Sequence, residues 1–306
     1  MLHLMTQPSP QLQLFAGVDG GGTQCRVRIR DAEGRLVGEG VSGSGNIRLG
    51  LELVWANVLD ALDQALAMGG RNRTAFERMS VGLGMAGISD AGDAARAIAA
   101  GPKFARIDAS SDAHTACLGA FSGRDGGILI SGTGSAAYAW VKGQGTQIGG
   151  WGFELCDKGS AADLGRDALR AALEGQDGLS PQSDLTRSLL ARFGSAAEVV
   201  HFVTGAKPKD YGALAPVVMA AAEAGDSVAV ALVQRQAADI ARYVARLQDI
   251  GADRVCLVGG MAPVFAPWLN ATTRDRLAEP EHDALEGGIL IAHGMSTGLI
   301  PEKVSV

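Results

Sequence analysis

Residues 14–29 read LFAGVDGGGTQCRVRI. Leu14 to Val18 has the composition of a short apolar strand. Past the glycines, Cys25, Val27 and Ile29 alternate with Arg26, Arg28 and Arg30, the period of a half-buried antiparallel strand. Between the two, Gly20, Gly21 and Gly22 remove every side chain where the backbone must bend. Glycine at such a point marks a close approach to the backbone by something else. Asp31 to Gly34 (DAEG) turns the chain into a third strand, Arg35 to Val41, so the segment is a three-stranded meander around an open turn.

Working outward, Leu51 to Met68 carries apolar residues at helical spacing and stops at Gly69-Gly70. Met79 to Gly84 and Phe104 to Ala109 read as strands separated by a helix over Asp90 to Ala100, which mixes crossover with antiparallel connections. A helix over Asp112 to Phe121 follows. The pattern then restarts: Gly127 to Ser131 is a strand, GTGS at 132–135 a turn, and Ala136 to Val141 the returning strand. Helices dominate the remainder (Ala161 to Leu173, Leu185 to Phe193, Leu214 to Ala224, Val228 to Ile250). The strand Arg254 to Val258 then leads into Gly259-Gly260, and Asp283 to Met295 is a last helix. The alanine-rich helices of this second half read as core and dimer surface.

The chain has 306 residues, 47% of them hydrophobic, enough aliphatic material for two domains. A formal net charge of −6 excludes a surface built for nucleic acid or an anionic membrane, both of which need a basic field. Cys25, Cys117, Cys156 and Cys256 are far apart and form no metal-ligand spacing, as in a reduced, cytoplasmic protein. The start MLHLMTQPSPQLQLF shows no basic segment ahead of a long apolar run, and no later stretch is apolar for the length of a bilayer span. A small-molecule partner is the expectation.

Three turns, DGGGT, SGTGS and GGMAP, each follow an apolar strand and offer backbone N–H groups with little obstruction, the usual cradle for phosphate oxygens. Any one alone is equally a hairpin turn. There is no GxxxxGK[ST] string, and the glycines do not open a helix after a GxGxxG pattern, so neither a P-loop nor a Rossmann fold accounts for them. The ordered set resembles the actin/hexokinase/Hsp70 ATPase superfamily. Within it, the chain resembles the BadF/BadG/BcrA/BcrD branch and its N-acetylglucosamine and glucosamine kinases, from Phe15 to about Met295.

That resemblance implies an α/β chain of two actin-like (ribonuclease H-like) ATPase domains with a cleft between them, the second helix-rich. The expected division is 1–112 with a helix from 283–306 packing back on it, and 113–282. It implies ATP with Mg²⁺, the phosphates meeting Gly20, Gly21, Gly22 and Thr23 in the first loop and Gly132, Thr133, Gly134 and Ser135 in the second. Gly259, Gly260 and Met261 fall at the adenosine loop. Asp19, at the end of the first strand, is placed to hold the metal, and is otherwise a turn-forming Asp. Asp112, in IDASSDAHTACLGAF, falls on the catalytic aspartate that takes the proton of the attacking hydroxyl; its plain structural role is a helix N-cap.

Asn46, in VSGSGNIRLG, falls on a sugar-contacting asparagine, and Met85-Ala86-Gly87 on the loop lining the sugar site. The segment GGWGFELCDKGSAADLGRDAL is similar to a GGWG motif of the sugar kinases, which puts Gly150, Trp151 and Asp157 at sugar positions. Cys156 stands where the branch has glycine and Lys158 where it has glutamate; a lysine there disfavours an ammonium group and leans toward N-acetylglucosamine. His114 reads as packing in its helix. The expected partners are an amino sugar and a second copy of the chain. The same branch contains dehydratase- or reductase-activating ATPases that hold an iron–sulfur cluster between subunits, for which Cys117 and Cys156 are the conceivable ligands. A sugar-sensing regulator would carry a helix-turn-helix, and the residues before Phe15 leave no room for one.

Overall fold

The computed structural model describes residues 13–298. In chain order come β1 (Leu14–Gly20), β2 (Cys25–Asp31), β3 (Leu36–Ser42), α1 (Leu51–Met68), β4 (Met79–Met85), α2 (Ala91–Ala99), β5 (Arg106–Ser111) and α3 (Asp112–Phe121). Then follow β6 (Gly126–Ser131), β7 (Ser135–Val141), β8 (Gln144–Gly149), α4 (Ala161–Gln176), α5 (Asp184–Phe193), α6 (Ala196–Gly205), α7 (Pro208–Gly212) and α8 (Ala215–Glu223). The chain ends with α9 (Ser227–Asp249), β9 (Val255–Val258), α10 (Ala262–Phe265), α11 (Ala271–Arg274) and α12 (Ala284–Ala292).

Two compact units result: 126–141 with 146–279 form one, and the remaining described residues the other. In the first unit the strand order is β3-β2-β1-β4-β5. The β1–β2 and β2–β3 pairs are antiparallel, while β1–β4 and β4–β5 are parallel. The arginine alternation of β2 does what its period requires, burying Cys25, Val27 and Ile29 and leaving Arg26, Arg28 and Arg30 half-buried. One face of the sheet receives α1 through Val54, Trp55, Val58, Ala61, Leu62, Ala65 and Leu66.

The other face is closed by α12, whose backbone lies on the strands themselves. A Cβ on Gly17 of β1 would overlap the Leu285 carbonyl, and one on Gly82 of β4 the Gly288 carbonyl. The same intimacy joins α12 to α3, where a Cβ on Gly119 would overlap the Asp283 carbonyl and one on Gly287 the Thr115 carbonyl. Arg28 fixes the start of α12 with a two-pronged hydrogen bond to Asp283 (2.8 and 3.0 Å), and Arg30 holds Glu286 at 3.0 Å. Helix α3, assigned with the C-terminal domain by a boundary at 112/113, therefore packs within the first unit, because glycines at 119 and 287 let it reach α12. The expected terminal helix runs to 292; residues 1–12 and 299–306, which the domain assignment and the reading of the chain start include, lie outside the described residues.

The second unit has the order β8-β7-β6-β9, with β6–β7 antiparallel and β6–β9 parallel. Strand β8 carries no strand signal in its sequence. Its residues are mostly solvent-facing, so QGTQIG lacks the apolar alternation that marks a strand. It completes a second three-stranded meander followed by a parallel strand. Helices α4, α5, α8 and α9 build the core around Leu164, Leu169, Leu185, Val218, Val233, Ile240 and Phe265. No single helix among the described residues is long and apolar enough to cross a membrane.

Substituting Gly17 or Gly82 by alanine should cost about 3 kcal/mol, since a backbone carbonyl cannot move aside as a side-chain tip would. Gly22→Ala, whose Cβ would meet nothing within 4 Å, should stay within about 0.5 kcal/mol of the parent. Urea unfolding of the three variants measures both.

Candidate functional site

In the first unit the register of the parallel strands brings the candidate residues together. Gly20, Met85 and Ser111 are ladder partners, so β1, β4 and β5 end flush and the loops that follow all leave from one edge of the sheet. These loops are knitted by backbone bonds. The Ala86 N–H donates to the Gly20 carbonyl (2.7 Å), the Gly45 N–H to Gly21 (3.0 Å) and the Ile47 N–H to Ala86 (3.0 Å), while the Ser44 hydroxyl donates to Gly22 (2.8 Å). With its carbonyls held in this way, the glycine turn keeps its donors: the N–H groups of Gly21, Gly22 and Thr23 have no hydrogen-bond partner among the described residues. Gly22 has neither a positive φ nor a close neighbour, so the fold itself does not require glycine there.

Asp19 precedes this turn and accepts from Arg26, its ladder partner, through Nε (3.1 Å) and Nη2 (2.5 Å). Asp112 is the first residue of α3. The N-cap is its neighbour Ser111, which accepts from the His114 N–H, because Ser111 still has extended backbone whereas Asp112 is already helical. That frees the Asp112 carboxylate from capping; it accepts the adjacent Ala113 N–H at 2.8 Å and its own backbone N–H. Burial, reinforced by the negative charge of Asp19, pushes Asp112 up to about 6. A carboxylate at the end of a strand, in the field of a second and buried one, suits a divalent cation that keeps most of its waters and takes one or two carboxylates besides phosphate. His114 is fully buried with its ring Nδ1 2.8 Å from the Ser110 hydroxyl, and burial lowers it to about 4, as expected of a packing residue.

Asn46 and Gly87 meet: a Cβ on Gly87, whose φ is +87°, would lie 2.8 Å from Asn46 Oδ1. Asn46 Oδ1 accepts the Arg48 N–H (3.0 Å), which aims the amide and leaves its Nδ2 donor without a partner among the described residues. Ser44 and Arg26 were not singled out from the sequence. The first shows only as one more serine in a glycine-rich loop, and the second only as part of the β2 alternation.

In the second unit the SGTGS turn, residues 157–161 and the 259–261 loop form another knot. The Met261 N–H donates to the Ser131 carbonyl (2.9 Å), the Ala161 N–H to Gly132 (2.9 Å) and the Ser131 hydroxyl to Gly159 (2.5 Å). The N–H groups of Thr133, Gly134 and Gly260 have no partner among the described residues, and a Cβ at Gly260 would meet nothing within 4 Å. Thr133 is exposed, as is Thr23 in the first unit. The Ser135 hydroxyl, by contrast, is committed to the Lys158 carbonyl at 2.7 Å and serves the loop's own structure.

The GGWG segment divides. Trp151 is 68% exposed, whereas Asp157 is buried, in left-handed conformation (φ +67°), with its carboxylate beneath Gly134 and accepting the Ser135 N–H. Asp157 thus braces the glycine turn. Burial raises its pKa against that hydrogen bond, with Asp163 adding to the rise. Gly150, at φ +74°, backs onto Ala136 and Gln147. Lys158 reaches Asp163 (3.3 Å), a carboxylate that also pairs with Arg166 and accepts from Gln236 (2.9 Å), so two cations share it.

Beside Met261 lies a cavity of about 350 Å³ lined by Ala215, Pro216, Met219, Ala220, Glu223 and Val264, among others. Its mostly apolar lining suits an aromatic base. The alanine-rich α8, read from the sequence as core and dimer surface, presents Met219, Ala220 and Glu223 to this cavity; small side chains at helical spacing look the same whether they face a helix or an opening.

The sequence matches the BadF/BadG/BcrA/BcrD ATPase family over residues 16–292. It is 36% identical over 282 residues to glucosamine kinase GspK of Vibrio cholerae serotype O1, covering 92% of this chain and 96% of that protein. It is 28% identical to the N-acetylmuramic acid/N-acetylglucosamine kinase of Clostridium acetobutylicum, over 75% of this chain and 77% of that one. Among solved structures, a protein of Chromobacterium violaceum named provisionally as an N-acetylglucosamine kinase superposes with a TM-score of 0.84 at 31% identity, over 92% of this chain and 100% of its own. With the match running through both units and every glycine turn, the chain belongs to the BadF/BadG/BcrA/BcrD ATPase family.

Proposed function

We propose that the protein is an ATP-dependent amino-sugar kinase that transfers the γ-phosphate to the 6-hydroxyl of N-acetylglucosamine or glucosamine. The observation that carries the catalytic assignment is the flush end of β1, β4 and β5, which gathers Asp19, Gly21 to Thr23, Gly87 and Asp112 on one sheet edge. Support for ATP comes from backbone donors without partners in three turns and from the apolar cavity at Met261. The kinases to which the chain is similar support the amino-sugar acceptor.

In this reading the Asn46 amide donates to a sugar hydroxyl, and the 6-hydroxyl gives its proton to Asp112 as its oxygen bonds to the γ-phosphorus and the bond from that phosphorus to the β-phosphate oxygen breaks, releasing ADP. Asp112 is suited to this by position, and its raised pKa makes it a better proton acceptor than an ordinary aspartate. Asp19 would hold Mg²⁺, which when bound supplies charge neutralisation to the phosphates. Arg26 then has a second use, since its guanidinium offsets Asp19 until a cation does so. Asp157 acts on the phosphate loop by bracing it. Lys158 leans toward Asp163, which Arg166 also pairs, rather than standing alone in the loop, and both acceptors remain within the proposal. The cluster-bearing activator reading is weakened by Cys117, which is fully buried in α3 where no second subunit can share it.

Asp112→Asn should lower kcat by about 10²-fold or more while leaving the sugar Kd within a few-fold, because the amide keeps the shape but takes no proton. ADP release against N-acetylglucosamine, glucosamine, glucose and no sugar tests the class; hydrolysis indifferent to sugar would overturn it. In the parent, kcat/KM should fall about tenfold per pH unit below about 6, where Asp112 becomes protonated. Since Asp19 contributes to the raised value, Asp19→Asn should move that acid limb to lower pH in the residual activity. Gly22→Val should raise the ATP Kd about tenfold or more with little change in stability, because its side chain would occupy the open space beside the turn.

A further inference from the structure

A second cavity in the unit formed by 126–141 and 146–279, of about 390 Å³, belongs to none of the three glycine turns. It is lined by Ile148, Lys158, Asp239, Arg242, Tyr243 and Arg246. Four of these residues sit at i, i+3, i+4 and i+7 on α9 and so share one helix face, turned toward the end of β8. The charges are three cations against one carboxylate. Asp239 is engaged by Arg242 at 3.0 Å and Lys158 by Asp163 at 3.3 Å, whereas Arg246 has no ion pair among the described residues. An excess of guanidinium beside a phenol and an isoleucine is the lining expected for an anion carried on a small, partly apolar body.

The cavity also touches the GGWG segment from behind. The Tyr243 hydroxyl lies 3.4 Å from Cys156 Sγ, and a Cβ on Gly149 would come within 2.7 Å of it. Burial, with Cys156 at its side, raises the Tyr243 pKa, so the phenol stays a neutral hydrogen-bonding group. Anything seated against Tyr243 and Lys158 therefore bears on both ends of the stretch 149–158 that carries Trp151.

We infer that this cavity is an effector site for a sugar phosphate, its phosphate monoester held by Arg246 and Arg242 and its ring lying against Tyr243 and Ile148. Occupancy is read by the 149–158 segment. The volume is ample for a hexose phosphate, and an anion with no organic body would leave the Tyr243–Ile148 wall unused. Two sources share this chemistry, the product of the proposed kinase reaction and a sugar phosphate made by another phosphotransfer or isomerisation.

The test is calorimetric titration of the full chain with glucosamine 6-phosphate, fructose 6-phosphate and inorganic phosphate, in the parent and in Arg246→Glu and Arg242→Gln. These residues lie outside the machinery proposed for phosphoryl transfer, so binding of a non-hydrolysable ATP analogue checks that each variant is folded and nucleotide-competent. The expected result is sugar-phosphate binding weakened about tenfold or more by either substitution with analogue binding unchanged, and a Trp151 fluorescence change that Trp151→Phe removes. Selective binding of glucosamine 6-phosphate identifies the product as the source, and equal binding of fructose 6-phosphate identifies a wider pool. Affinities the same in parent and variants, or inorganic phosphate binding as tightly as the esters, would overturn the assignment. None of these readouts uses kinase activity, so failure of the proposed function is seen separately in the ADP-release assay.

Discussion

Backbone laid directly on backbone is the constraint from which the first unit follows. Where Gly17 and Gly82 face the carbonyls of Leu285 and Gly288, no side chain exists that could yield or repack. The contact is rigid because it lacks adjustable parts, and it fixes β1 and β4 together from one side while α1 fills the other with aliphatic side chains. Once those strands are in register, the ends of β1, β4 and β5 are flush and the three loops leave one edge of the sheet. Helix α12, late in the chain, thus determines the geometry of residues near its start.

The electrostatics at that edge follow from burial combined with unequal compensation. Asp19 is neutralised by Arg26, while Asp112 has its own and the adjacent N–H and the field of Asp19. Held unequally in this way, one carboxylate is committed to a guanidinium while the buried Asp112 takes up a proton nearer neutrality than an ordinary aspartate. In the second unit, Asp157 takes a different part. Its left-handed backbone carries a small strain, and its carboxylate accepts the Ser135 N–H beneath the SGTGS turn, so it supports the turn rather than the substrate.

Both sheets repeat one plan, a meander followed by a parallel strand, with a glycine turn between the first two strands of each. The repeat was visible in DGGGT and GTGS, and obscured at its third strand. β3 has buried Gly38 and Gly40 against α1, whereas β8 is solvent-facing and polar, so one copy carries a packing signature and the other does not. Likewise α8 gave no sign of facing a cavity, since alanines at helical spacing are written the same for either surface.

What the sequence determined by itself was local or periodic: the span of α1, the alternation of β2, the strand-then-glycine order of the three turns, and through their resemblance the family. Hydrogen-bonding donors and Cβ-free turns are properties of the residues themselves, and so are legible without coordinates. Only the tertiary structure decided that Ser111 caps α3 and leaves Asp112 free, that α3 belongs with α12, that Asp157 braces a turn, and that Lys158 shares Asp163 with Arg166. Each of those outcomes is a competition between partners distant in sequence for one carboxylate, hydroxyl or packing surface, and such competitions are settled by distance and burial, quantities that a string of residues does not contain.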